Sequence, residues 1–142
     1  MNASRRSVLA TIASITSIGG GLLAGLAHAA EPVLPPSSSL VADADAAARS
    51  GRALVVLVSL EGCPYCLAVR RAYLAPLRES GQPVVQVELK DARSLGIRMA
   101  PTVLFLGRGG RELAPRLVGY SSPDFYGSYL DERVAAANAA VR

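Results

Sequence analysis

The chain has almost nothing with which to hold a metal ion. Its 142 residues contain two cysteines and one histidine, and His28 lies in a segment expected to be removed. Zinc wants four ligands, so two cysteines with no histidine in the mature chain weigh against a zinc site. The sequence also lacks any block of like charge. Of its formal net charge of +4, two units belong to Arg5 and Arg6, and the remaining arginines are scattered among acids. That distribution excludes a nucleic-acid-binding stripe. There is no internal repeat and no second set of elements. With 51% hydrophobic residues, the chain suffices for one domain with a real core.

What is present begins with an export signal. Ser4-Arg5-Arg6-Ser7-Val8-Leu9 is a short basic start, Val8 to Ala27 is uncharged and apolar, and Ala27-His28-Ala29 is an A-x-A cleavage pattern. The paired arginines resemble the bacterial twin-arginine signal, with Val8 in place of its Phe and Ala10 in place of its Lys. An ordinary secretory signal is the alternative route. An uncleaved anchor is the alternative fate, because about 20 uncharged residues can span a bilayer. The reading adopted is a signal peptide over 1–29 cleaved after Ala29, a disordered linker over 30–39 and a folded domain over 40–142. The mature protein is then periplasmic, with no stable membrane insertion. The linker rests on Pro-Val-Leu-Pro-Pro-Ser-Ser-Ser (32–39), where prolines remove backbone donors.

The two cysteines stand at Cys63-Pro64-Tyr65-Cys66. Ala53 to Leu60 (ALVVLVSL) reads as a buried strand, and the run after Cys66 has helical apolar spacing. The pair therefore sits at a strand-to-helix junction. Pro64 fits the first helical position, and the free amides of a helix start favour a thiolate at Cys63. A structural disulfide is the plainer alternative, but so small a loop restrains little chain entropy.

Around this junction the expected order is α, βαβ, ββα. Leu40 to Ser50 is an alanine-rich helix capped by Ser39 and ended by Gly51. The dithiol helix runs to about Ser80, with a kink at Pro76. Val84 to Leu89 is a strand. Asp91 to Gly96 has room for one helical turn. Thr102 to Leu106, a turn at 107–110, and Glu112 to Val118 form a hairpin. Ser122 caps a last helix that begins at Pro123, with its tyrosines and Phe125 in or beside the core.

From about Leu40 to Val141 the chain resembles the thioredoxin superfamily. The resemblance rests on CPYC after the first core strand, GIRMAPTVLF with Pro101 leading a strand, and Gly119 before the last helix. It implies an α/β thioredoxin fold, a four-stranded mixed sheet with an extra N-terminal helix. It also implies a redox-active disulfide between Cys63, the nucleophile, and Cys66, the resolving thiol. The Ala100–Pro101 bond is expected to be cis, with Pro64, Tyr65, Ala100 and Pro101 meeting substrate. No cofactor and no metal are expected.

Two departures from the family pattern bear on mechanism. Leu57 occupies the place of the buried Asp that thioredoxins carry six residues before the first cysteine. The proton of Cys66 then passes to water or to the attacking thiolate. GYSSPDF (119–125) lacks the Gly-Gly pair with which glutaredoxins hold glutathione. The stretches CLAVRRAYLAPLRESGQPVVQVEL and LVGYSSPDFYGSYLDERV resemble small periplasmic thioredoxins associated with sulfur-oxidation systems. The partners implied are a disulfide-bearing periplasmic protein, such as a sulfur-oxidation carrier, and a membrane thiol donor. The expected activity is that of a thiol:disulfide oxidoreductase working as a reductase. A disulfide-forming oxidant is the first alternative, and a Cu(I)-binding thiol chaperone with Met99 as a further soft donor is the second.

Overall fold

The computed structural model describes residues 30–141, so the signal-peptide reading falls outside the described residues. The elements are α1 (Leu40–Arg49), β1 (Leu54–Ser59), α2 (Pro64–Val69), α3 (Ala75–Glu79), β2 (Val84–Glu88), β3 (Thr102–Leu106), β4 (Leu117–Val118) and α4 (Pro123–Ala140). The sheet order is β2-β1-β3-β4, with β1 parallel to β2 and antiparallel to β3, and β3 antiparallel to β4. This is the four-stranded mixed sheet with an additional N-terminal helix that the sequence led us to expect.

Both faces of the sheet are covered, which is why β1 and β3 read as unbroken apolar runs rather than alternating ones. Val55, Leu57, Val103 and Phe105 pack with Val69, Leu74, Leu130 and Val134 under the dithiol helix and α4. Leu54, Val56, Val58, Leu104 and Leu106 pack with Ala44, Ala47 and Ile97 on the α1 side. Ser39 caps α1 as expected, accepting from the amide of Ala42 at 3.3 Å. The same helix docks on the β3–β4 turn, where the amide of Gly109 donates to Asp45 at 2.8 Å. Gly110 has φ +73°, and a Cβ there would lie 3.2 Å from Val41, so a side chain at this position meets both backbone strain and a neighbour.

The helix expected to kink at Pro76 accommodates it by widening. Between α2 and α3, Arg70–Leu74 form a π-helical turn in which the amide of Ala75 donates to the carbonyl of Arg70, five residues back. Pro76 has no N–H and its ring crowds the carbonyl four residues earlier, and a π turn immediately before it relieves that crowding.

Four expectations need correction. The segment 30–39 is not a free tether throughout. Leu34 is buried in the core, the amide of Gln86 donates to the carbonyl of Pro35, and the amide of Ser37 donates to the carbonyl of Gln86, both at 2.9 Å. In this parallel bridge the groups of Pro36 itself face outward, so its missing N–H costs nothing; edge strands tolerate proline in this way. The strand expected over Glu112–Val118 shrinks to Leu117–Val118, with Glu112 making an isolated bridge to Leu106. Pro115 lacks a ladder donor and interrupts the pairing. In α4 the residues facing the core are Tyr126, Leu130, Val134 and Ala137, whereas Phe125 and Tyr129 are exposed. Ser122 makes no side-chain cap bond.

At the end of the sheet away from the cysteines, one polar knot ties three segments together. Asn138 on α4 accepts from the amide of Ala53 at 2.8 Å and donates to Gln82 at 2.9 Å, and Gln82 donates to the carbonyl of Ala53 at 2.6 Å. Ala53 and Gln82 are buried, so removing Asn138 leaves the Ala53 amide without a partner and leaves Gln82 Oε1 only the 3.4 Å contact from Arg52. Asn138→Ala is expected to cost about 1–3 kcal/mol of stability in urea unfolding with an unchanged m-value. A loss below about 0.5 kcal/mol would show that the knot contributes little.

Candidate functional site

Strand β1 ends at Ser59, and the chain reverses through Glu61-Gly62, where Gly62 takes φ +71°. Cys63 then stands as the N-cap of α2. Its Sγ accepts from the amide of Cys66 at 3.1 Å, its carbonyl accepts from Leu67 at 3.2 Å, and Pro64 occupies the first turn. Cys63 and Cys66 are joined in a disulfide with Cα atoms 5.3 Å apart. Cys63 is half-buried and Cys66 is buried, 1% exposed. In the reduced protein the amide that already points at Cys63 Sγ would hydrogen-bond a thiolate there and favour that charged form.

The β1–β3 register brings the second landmark alongside. Val58 pairs with Thr102, so Pro101 lies at the same end of the sheet as the turn leading to Cys63. The Ala100–Pro101 bond is cis, as the resemblance implied. Pro101 is buried, its carbonyl accepts from Gly119 at 2.8 Å, and Thr102 Oγ1 donates to the carbonyl of Met99 at 2.7 Å. Pro64, Tyr65 and Met99 are exposed, and Ala100 is half-buried. Pro64 and Tyr65 therefore border the disulfide on the helix side, while Ala100 and Pro101 sit on the loop before β3.

Leu57 is fully buried between Gln86 and Val103 in the core under the dithiol helix. Leu57 offers no carboxylate at that place. Carboxylates line an adjoining pocket instead, those of Glu31, Glu61 and Glu88. This pocket, of about 690 Å³, opens beside Cys63 and also includes Ser59, Arg70 and Gln86. Sequence reasoning missed it. The available signal was Gln86 and Glu88, two polar residues in phase with the core residue Val84.

A tyrosine cluster flanks the site as well. Tyr65 lies 6.3 Å from Tyr120, which lies 5.1 Å from Tyr126, and Tyr73 is 5.0 Å from Tyr126 (ring centroids). Among the described residues no group of three or more His, Cys, Asp or Glu side chains gathers as a metal site, and no helix is long and apolar enough to cross a membrane.

No protein-family model and no curated protein matches the chain. Solved structures do. Thioredoxin from Trichomonas vaginalis superposes at a TM-score of 0.54 with 16% identity, over 74% of this chain and 96% of its own. A mutant thioredoxin from Halobacterium salinarum gives 0.52 with 16% identity, over 73% and 91%. The periplasmic thioredoxin SoxS from Paracoccus pantotrophus gives 0.47 with 23% identity, over 60% and 98%, too partial a likeness to add to the assignment. The class is thus a thioredoxin fold. The particular chain is a version of it whose dithiol is CPYC and whose strand below the dithiol carries Leu57.

Among the described residues, Tyr126 is the one ionisable side chain fully within the core below this site. Its hydroxyl has no hydrogen-bond partner, and burial, with Tyr120 and Tyr73 adding to it, pushes its ionisation well above the ordinary tyrosine value. An unfolded chain ionises this phenol near pH 10, whereas the folded chain holds it neutral, so its contribution to stability is complete below that pH and is lost as pH rises. Tyr126→Phe is expected to be neutral or stabilising at pH 7 and to lessen the fall in stability above about pH 10. Guanidinium unfolding at both pH values measures this, and a loss above about 1 kcal/mol at pH 7 would mean that the hydroxyl is satisfied.

Proposed function

We propose that this chain is a thiol-disulfide oxidoreductase that reduces protein disulfides in the periplasm. The observation that carries the reading is the asymmetry of the cysteine pair. Cys63 is partly exposed and faces the Cys66 amide, while Cys66 is shut away one turn behind it. In the reduced protein, Cys63 attacks a partner disulfide and forms a mixed disulfide, releasing one partner thiolate. Cys66, having lost its proton, attacks Cys63 Sγ and releases the second partner thiol as the internal disulfide closes. With Leu57 beneath the pair, the proton of Cys66 goes to water or to the departing thiolate.

Direction is argued from what surrounds the thiolate. Pro64 and Tyr65 supply no imidazolium between the cysteines, and Leu57 supplies no charge. A less stabilised thiolate makes the dithiol form less favourable and the potential lower. Pro64 and Tyr65 on one side and Ala100 and Pro101 on the other form the edge that would meet a disulfide-bearing substrate. The signal-like 1–29 segment supports a mature protein that begins at Ala30 and works in the periplasm. There a membrane thiol donor would recharge it, and a sulfur-oxidation carrier thiol is the partner of choice.

Insulin reduction tests the activity, and equilibration with a glutathione buffer tests the direction. The expected potential is about −200 mV, and a value at or above about −130 mV would make the protein an oxidant instead. Mass analysis of the exported protein is expected to show Ala30 as its first residue; retention of Met1 in a membrane fraction would contradict cleavage.

A further inference from the structure

The pocket beside Cys63 is built differently from the rest of the helix–sheet interface. Val55 and Leu57 on β1, and Val84 on β2, point into the core under the dithiol helix. The next positions of the same parity are Ser59, Gln86 and Glu88. A hydroxyl, an amide and a carboxylate therefore replace apolar side chains where this face reaches the cysteines. On the helix, Cys63, Leu67 and Arg70 line the opposite wall, at the i, i+4, i+7 spacing of one face.

Arg70 is held in place without a counter-ion. Its Nε donates to Gln86 Oε1 at 3.0 Å and its Nη2 to Ser59 Oγ at 3.3 Å. Both acceptors are neutral, and Nη1 has no partner among the described residues. The ion pairs of the described residues are Arg71–Glu31, Arg116–Glu112 and Arg133–Glu132, so Arg70, Glu88, Glu61 and Lys90 belong to none of them. A half-buried cation fixed by neutral partners keeps donor capacity for an anion. Glu88, half-buried at the end of β2, keeps acceptor capacity for a cation. At the rim, exposed Glu61 and Lys90 repeat the same two signs. The volume of about 690 Å³ is that of a small-molecule site.

We propose that this pocket recognises the α-amino-acid end of a low-molecular-weight disulfide, cystine being the simplest, with Arg70 taking the carboxylate and Glu88 the ammonium. The inference rests on the oxidoreductase reading above and adds a substrate class to it. Cys63 thiolate attacks one sulfur of cystine, the S–S bond breaks, and one cysteine leaves. Cys66 thiolate then displaces the second cysteine from Cys63. The protein dithiol gives up two electrons and two protons and becomes the disulfide, and cystine becomes two cysteines. A thiol donor, dithiothreitol in the assay, restores the dithiol.

Four disulfides separate the contributions: cystine (both charges), dithiodipropionate (anion), cystamine (cation) and hydroxyethyl disulfide (neutral). Each rate of oxidation of the reduced protein is divided by the rate of the same disulfide with dithiothreitol, which removes differences in leaving group. Cystine is expected to exceed hydroxyethyl disulfide by about tenfold on this scale. Arg70→Gln should lower cystine and dithiodipropionate by about tenfold and leave the other two within about twofold, and Glu88→Gln should lower cystine and cystamine instead. Equal normalised rates for the four, or a uniform fall across them in both variants, would overturn the proposal and leave Arg70 a packing residue. NMR titration of the oxidised protein with S-methylcysteine reads the pocket without redox chemistry. Shifts at Ser59 and Gln86 that vanish in Arg70→Gln support the subsite even if no disulfide is reduced, in which case the oxidoreductase reading alone fails. No shifts would reject the subsite whatever the activity.

Discussion

The 3.1 Å contact from the Cys66 amide to Cys63 Sγ sets the terms for this end of the molecule. It exists only if Cys63 is the last non-helical residue before a helix, and that requires the preceding strand to stop short and the chain to reverse within a few residues. Gly62 with its positive φ and Pro64 in the first turn satisfy those demands locally. The sheet satisfies them globally. β1 is buried over its full length between β2 and β3, so the point at which it ends is fixed by packing on both faces and does not shift with the loop. The position of Cys63 is therefore inherited from the packed core, while the turn itself contributes little beyond its shape.

That core also decides where protons cannot go. Leu57 lies directly in the apolar cluster under the dithiol helix, and of the fully buried members of that cluster only Tyr126 is ionisable, held neutral by its burial. Polarity is displaced sideways, to the corner where Ser59, Gln86 and Arg70 meet beside Cys63. The π-helical turn is part of the same arrangement, because the residue whose carbonyl closes it is Arg70. Widening the helix ahead of Pro76 and anchoring a guanidinium against the sheet thus occur at one place in the chain.

Much of this was legible in the sequence because it depends on short-range rules. The apolar runs of β1 and β3, the Ser39 cap, the glycine turn after β3 and the CPYC junction are each specified by a few neighbouring residues, and the structure places them within a residue or two of where they were expected. What escaped were features set by partners distant in sequence. Pro35 to Ser37 look like a linker by composition, yet they find the free edge of β2 at Gln86, some fifty residues on. Phe125 and Tyr129 are as apt for the core as Tyr126 by residue type, because an aromatic-rich helix start does not declare which face will meet Tyr73 and Tyr120. The Arg70 corner escaped for a related reason. A polar residue in a strand reads as an exposed position until the parity of Val84 and the reach of a helix two elements away are known together.

The central claim is that Cys63 is held as the attacking sulfur by the start of the helix while Cys66 is withheld. Limited alkylation of the fully reduced protein with iodoacetamide at mildly acidic pH, followed by peptide mass analysis, tests it most directly. The account predicts modification of Cys63 at least about tenfold faster than Cys66. Equal rates at the two sulfurs, or faster labelling of Cys66, would contradict it.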